Sequence, residues 1–134
     1  MVNLVAVLVS GIISMFIGFL WYGPLFGKIW MKLMNFDKKK MDEAKKKGMG
    51  TNYFIAFLGT LVMSYILAVF VGYFGASTFS QGMMLGFLVW LGFFVTKSLG
   101  MVLWESKPAK LFFLNIFHDL VVLLIVSGIL AVWV

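Results

Sequence analysis

Four polar side chains lie where hydrocarbon would penalise them. Lys97 sits inside an apolar run at 82–103, and Asn115, His118 and Asp119 sit inside another at 111–133. A lysine or aspartate at mid-membrane costs about 2.5–3.5 kcal/mol on insertion scales, so each needs a partner or a water-filled cavity. Asn115, His118 and Asp119 are spaced i, i+3 and i+4, which puts them on one face of a helix. Lys97 comes seven residues before Trp104, about 10 Å along a helix rising ~1.5 Å per residue. Asp119 comes eight residues after Leu111, about 12 Å by the same rise. Antiparallel helices entering from one face would bring the two charges to nearly equal depth. Two chemistries fit. One is structural: a Lys97–Asp119 ion pair, with Asn115 and His118 in interhelical hydrogen bonds worth about 0.6–2 kcal/mol each. The other is a hydrophilic pocket or pathway open to the cytoplasmic side. His118 would then be the group able to change charge near neutral pH.

Other chemistries are poorly supplied. The chain has no cysteine, which removes disulfides, thiolate metal sites and thiol redox chemistry. It has no arginine, so bidentate guanidinium clamps are absent and all 11 cations are lysines. A single histidine beside Asp119 is too little for a metal site. No serine is marked as a nucleophile, and no glycine-rich phosphate loop follows a strand. The expectation is a protein that is not an enzyme and carries no cofactor or metal. A membrane enzyme acting on lipid or isoprenoid is a distant third option, disfavoured by this shortage of polar chemistry.

The elements that must position these residues are membrane spans. Of 134 residues, 63% are hydrophobic and 12% charged, against about 45–50% and about 25% for a soluble domain. Crossing a bilayer takes about 20 residues of helix. Four runs qualify: Leu4–Tyr22, Tyr53–Phe74, Gly82–Leu103 and Leu111–Trp133. The fold class is therefore all-α, a polytopic membrane protein with one four-helix domain over residues 1–134. No charge precedes the first run and no small-residue cleavage site follows it, so it reads as a retained helix rather than a signal peptide. Small residues line several faces: Ser10, Gly11, Ser14 and Gly18; Gly59, Thr60 and Ser64; Gly82 and Gly86; Gly92, Thr96 and Gly100. Such stripes let helices approach closely. They exceed what one compact bundle needs, which suggests a homo-oligomer or a membrane-protein partner.

The one long connection, 23–52, carries eight lysines and three acids. Pro24 suits the first turn of a helix. From Leu25 to Phe36 the pattern is amphipathic, with Phe26, Ile29, Trp30, Leu33 and Met34 on one side and Lys28, Lys32 and Asn35 on the other. That suits a helix lying in the interface. Asp37 would cap a second, lysine-rich helix that Gly48 and Gly50 end. Trp21 and Tyr22 fall where an interfacial aromatic belt is expected. The lysines could attract anionic lipid headgroups, at about 1 kcal/mol each, or simply set topology as a solvated face. The net charge of +6 is concentrated here beside a membrane segment, which is not a nucleic-acid pattern.

The motifs together resemble a known family. They are Asn3, the run Trp21-Tyr22-Gly23-Pro24-Leu25-Phe26-Gly27-Lys28 with Trp30-Met31, and the spacing Asn115-x-x-His118. The sequence resembles the bacterial integral-membrane family catalogued as domain of unknown function 1761, over essentially the whole chain. The aromatic run is fairly specific and the Asn-x-x-His spacing less so. The resemblance implies a four-helix membrane protein with no established activity. Asn115 and His118 match its pattern; Lys97 and Asp119 do not belong to it, so a charge pair would be this chain's own addition. Trp21, Tyr22, Pro24, Gly27, Lys28 and Trp30 become candidates for a common corner, either functional or simply an interfacial turn.

The leading functional expectation is a non-enzymatic membrane protein that binds a partner, a lipid or itself, in an accessory role. The alternative is a small transporter or channel with a path through Lys97, Asn115, His118 and Asp119. Of the 11 lysines, ten fall in connections one and three and none in connection two. Lysines near span ends collect on the cytoplasmic side. Residues 23–52 and 104–110 should then be cytoplasmic, in the plasma membrane, with both termini outside. A reporter that works only in the cytoplasm should stay silent when fused after Val134; activity there would overturn this topology.

Overall fold

In hydrocarbon a backbone amide has no water to bond, so a spanning segment must close its own hydrogen bonds. The computed structural model of the protein, which describes residues 2–34, 38–48 and 50–133, does this with helices. Four are long and apolar enough to cross a membrane: Leu4–Leu25, Gly50–Phe74, Phe79–Leu103 and Ala109–Val132. Among the described residues there is no strand.

Helix α1 (Leu4–Leu20) begins at Asn3, whose side-chain oxygen accepts from the N–H groups of Val5 and Ala6 at 3.0 and 3.2 Å. This satisfies two of the donors that a helix start leaves orphaned. The helix runs straight into a π turn, Trp21–Leu25, before α2 (Gly27–Leu33) begins. Pro24 therefore sits inside the wider turn rather than opening the next helix. Proline has no N–H to give, and Gly23 leaves helical dihedrals (φ −110°, ψ −106°). The chain recovers by bonding Phe26 N–H to the Trp21 carbonyl at 2.9 Å, five residues back.

The lysine-rich helix α3 (Lys38–Lys47) forms as expected and stops at Gly48, whose φ of +80° suits glycine. The Asp37 cap lies outside the described residues. Gly50 starts α4 (Gly50–Phe74) instead of ending α3, so the second span is longer than its apolar run. Gly75, at φ +67°, closes α4: its N–H bonds Gly72 O and that of Ala76 bonds Val71 O. The third span begins at Phe79, three residues before the run that its hydropathy marks. Thr78 Oγ1 accepts from Gln81 N–H at 3.1 Å, and Gln81 Oε1 accepts from Ser77 N–H at 2.8 Å. That near-reciprocal cap is a polar signal, invisible to an apolar count. The span consists of α5 (Phe79–Val89), a second π turn (Trp90–Val95) and α6 (Thr96–Leu103); α7 (Ala109–Val132) follows.

Helix α7 is the hub, packing on α1, α4, α5 and α6 and touching α2. The core joins Ala6 and Val7 of α1, Leu67 and Val71 of α4, and Val122, Leu123, Val126, Leu130 and Ala131 of α7. Glycines set the approach of α5. A Cβ at Gly86 would lie 2.6 Å from the Leu123 carbonyl oxygen, and one at Gly82 would run into Ser127 O and Ala131. Gly11 does the same for α1, with Leu61 Cδ2 2.7 Å from its missing Cβ. Two of the small-residue stripes thus act within the chain. Gly59 and Gly92, by contrast, face open space.

Gly86→Val should lower unfolding stability by about 1–3 kcal/mol through overpacking. Gly59→Ala should be neutral, or raise stability by up to about 1 kcal/mol through helix propensity. Thermal unfolding in one detergent checks both; equal losses would contradict the α5–α7 contact.

Candidate functional site

The first π turn aims two aromatic side chains at α7. Trp21 Nε1 donates to the Leu114 carbonyl at 3.1 Å, and the Tyr22 hydroxyl donates to Asn115 Oδ1 at 2.7 Å. Both side chains are half-buried against protein rather than displayed as a lipid-facing belt. The reason is the same solvent constraint: a polar group within a span finds its partner inside the bundle. The Tyr22 ring centroid lies 5.0 Å from that of His118 and 6.0 Å from that of Trp30. The Trp21 ring lies tilted by 49° against Phe26, centroids 4.7 Å apart, and meets His118 edge-on at 6.0 Å.

Helix α2 closes the corner. Phe26, Trp30, Leu33 and Met34 are half-buried, whereas Lys28, Ile29 and Lys32 are exposed. Its apolar side therefore docks on the protein, except for Ile29. Gly27 makes the docking possible: a Cβ there would stand 2.7 Å from the Tyr22 carbonyl oxygen and 3.3 Å from its carbon, both backbone atoms. Tyr22, Trp30, Asn115, His118 and Asp119 line an open recess of about 400 Å³.

Within the recess His118 Nδ1 and Asp119 Oδ1 are 3.2 Å apart. An ionised carboxylate accepts a hydrogen bond from Nδ1–H, and in the neutral imidazole Nε2 is then an acceptor. That Nε2 is buried with no hydrogen-bond partner among the described residues. It lies 3.7 Å from where a Cβ on Gly18 would stand. The second Asp119 oxygen has no hydrogen bond among the described residues. Among the described residues Asn115 Nδ2 reaches only the soft sulfur of Met101, at 3.9 Å.

Lys97 is not part of this site. It is exposed and makes no ion pair or hydrogen bond among the described residues; Asp119 takes its neighbour His118 instead. The expected Lys97–Asp119 bridge fails for a geometric reason. Depth sets height along a helix but not direction around it. The second π turn widens the helix before Thr96, and one extra residue rotates everything beyond it by about 100°. The Trp90 indole, at that turn, donates to the Ile116 carbonyl at 2.6 Å and pins its phase.

Of the residues singled out in the sequence, the structure joins Tyr22, Trp30, Asn115, His118 and Asp119, with Trp21 and Gly27 as supports. Pro24 shapes the turn, and Lys28 and Lys97 point elsewhere. Sequence reasoning put Phe26 on an amphipathic face and Gly18 in a small-residue stripe without linking either to the site, and it passed over Met101. Gly18 stands four residues before Tyr22, so helical spacing could have linked them. Met101 carried no signal. Among the described residues no three His, Cys, Asp or Glu side chains gather as a metal-binding group.

The family described as "Protein of unknown function (DUF1761)" matches residues 5–131, a stretch that includes both halves of the recess. No curated protein and no solved structure matches the chain.

A buried hydrogen bond loses most when one partner is left behind, about 1–3 kcal/mol. Tyr22→Phe and Asn115→Leu should each destabilise by about that amount, and the double variant by clearly less than their sum. Additive losses would mean that the two groups do not interact. Lys97→Met should leave the unfolding midpoint unchanged.

Proposed function

This chain belongs to the DUF1761 family, and from that premise we propose that it is a non-enzymatic binding or accessory membrane protein whose site is the Tyr22–Trp30–Asn115–His118–Asp119 recess. The observation that carries this reading is the Tyr22–Asn115 hydrogen bond, between residues 93 apart in the chain. It joins the aromatic corner after α1 to the polar face of α7. A purely structural network would close on itself. Here a carboxylate oxygen and an amide nitrogen stay without strong partners beside an open cavity. No serine, threonine or cysteine lines the recess, and the one hydroxyl among its lining residues, that of Tyr22, is engaged by Asn115.

The same reading extends to the surroundings. The protein resides in the plasma membrane with the recess open to the cytoplasmic half, where Lys39, Lys40 and Lys46 of α3 are exposed towards anionic headgroups. A second copy covers the third span. Only 6% of that span's apolar stretch is buried, against 39% of the fourth's. Gly92, Thr96 and Lys97 lie on its exposed side.

A conducting path is the second reading. Buried hydroxyls of Ser10, Ser64 and Ser127, like His118 Nε2, have no hydrogen-bond partner among the described residues. Against it, the buried part of α7 beyond Asp119 is mostly Val122, Leu123, Val126 and Leu130.

Native mass spectrometry of protein extracted with its lipids tests the first reading. Wild type should retain a bound small molecule or lipid that Asn115→Leu and Trp30→Ala lose several-fold. Equal loading in all three would overturn the binding site. A pH-driven flux in proteoliposomes that His118→Ala abolishes would favour the second reading.

A further inference from the structure

The recess holds a carboxylate with one oxygen that meets no donor among the described residues. Among the described residues Asp119 is its one carboxylate, and His118 Nδ1 lies 3.2 Å from one of its oxygens. The one cation available inside a span, Lys97, is turned outward. An ionised group within a membrane segment is tolerated when it is paired or reaches water. His118 engages one carboxylate oxygen, and the other faces no donor among the described residues.

Two of the residues that line the recess with Asp119 are aromatic. Tyr22 and Trp30 meet edge-to-face with ring centroids 6.0 Å apart, and both rings border the cavity. Aromatic faces attract cations through the ring quadrupole, with tryptophan the strongest of the three rings. An anionic ligand would have the reverse experience. The chain has no arginine, Lys28 is exposed outside the recess, and a phosphate or carboxylate placed here would confront Asp119 with no lysine among the described lining residues. An uncharged ligand would leave the carboxylate unneutralised.

We propose that the recess binds an organic ammonium group, primary or quaternary, with Asp119 as its counter-charge and Tyr22 and Trp30 as its aromatic walls. This rests on the reading of the recess as a binding site and specifies what it takes. The ammonium can belong to a lipid headgroup or to a free amine, which present the same chemistry to these residues. The positioning residues are Asn115, which holds the Tyr22 ring by its hydroxyl, and Gly27, which lets α2 bring Trp30 over the cavity.

The test uses full-length protein carrying fluorotryptophan, in nanodiscs of phosphatidylglycerol, whose headgroup has no amine. The Trp30 fluorine signal is assigned with Trp30→Phe. Choline and ethanolamine are titrated, with sodium chloride, sodium phosphate and glycerol as comparisons. Either amine should shift the Trp30 signal saturably and leave the exposed Trp104 signal in place. Asp119→Asn should weaken the apparent affinity at least tenfold, while Asp119→Glu, which keeps the charge, should retain most of it. That pair separates charge from misfolding. A response in Asp119→Asn equal to wild type, or no saturable shift with either amine, would overturn the proposal. A saturable shift with phosphate or glycerol instead would overturn the cation class and leave the binding site standing. In discs doped with phosphatidylethanolamine, a Trp30 signal already displaced and insensitive to free amine assigns the ammonium to lipid. A signal that still responds assigns it to a soluble amine.

Discussion

Two indole N–H groups reach backbone carbonyls two residues apart on α7. Trp21 reaches the Leu114 carbonyl and Trp90 the Ile116 carbonyl. In hydrocarbon such donors have no water to fall back on, so the carbonyl edge of a neighbouring helix is what satisfies them. Each indole sits where a regular helix gives way to a π turn. Local π geometry costs little when it lets a polar side chain find an acceptor, and such turns recur at functional sites. The clasp of α7 between two π turns is what the rest of the arrangement depends on. It directs Tyr22 at Asn115, brings Trp30 over the same cavity and rotates Lys97 away.

The division of labour along α7 follows from this. Its first half, near Asn115, His118 and Asp119, is held by polar contacts and borders an open recess. Its second half is a close-packed apolar core, where Gly82 and Gly86 bring α5 almost onto the Leu123 and Ser127 carbonyls. The tight half anchors the helix; the open half leaves polar valence unused. A bundle held together for its own sake would gain by closing that valence, since unpaired polar atoms in low dielectric are costly. Their persistence beside a cavity of about 400 Å³ is the physical ground for reading the corner as a site.

The four spans, the lysine-rich helix and the polar face of α7 were legible because each is local. Apolar length marks a span, charge marks a solvated helix, and the i, i+3, i+4 spacing marks a face. The aromatic run after α1 was legible as a motif but not as half of a recess, because nothing in 21–30 points to 115–119. Boundaries moved where polar caps, at Thr78, or glycines, at Gly50, outvoted hydropathy. The depth match between Lys97 and Asp119 was sound arithmetic on an unbroken helix. It failed at Trp90–Val95, where tertiary hydrogen bonding selects a wider turn that no local propensity announces.

By itself, then, the sequence determined the class of object, its membrane-spanning elements, its family and the types of residue available for chemistry. These follow from composition and short-range periodicity, which the bilayer reads directly as solvent. Only the tertiary structure decided which of those residues meet. Meeting depends on rotation about each helix axis, and that rotation is set by two π turns, a glycine at 27 and hydrogen bonds spanning most of the chain. Through them an expected ion pair gave way to a carboxylate that shares a recess with aromatic rings, and the corner after α1 became one wall of that recess.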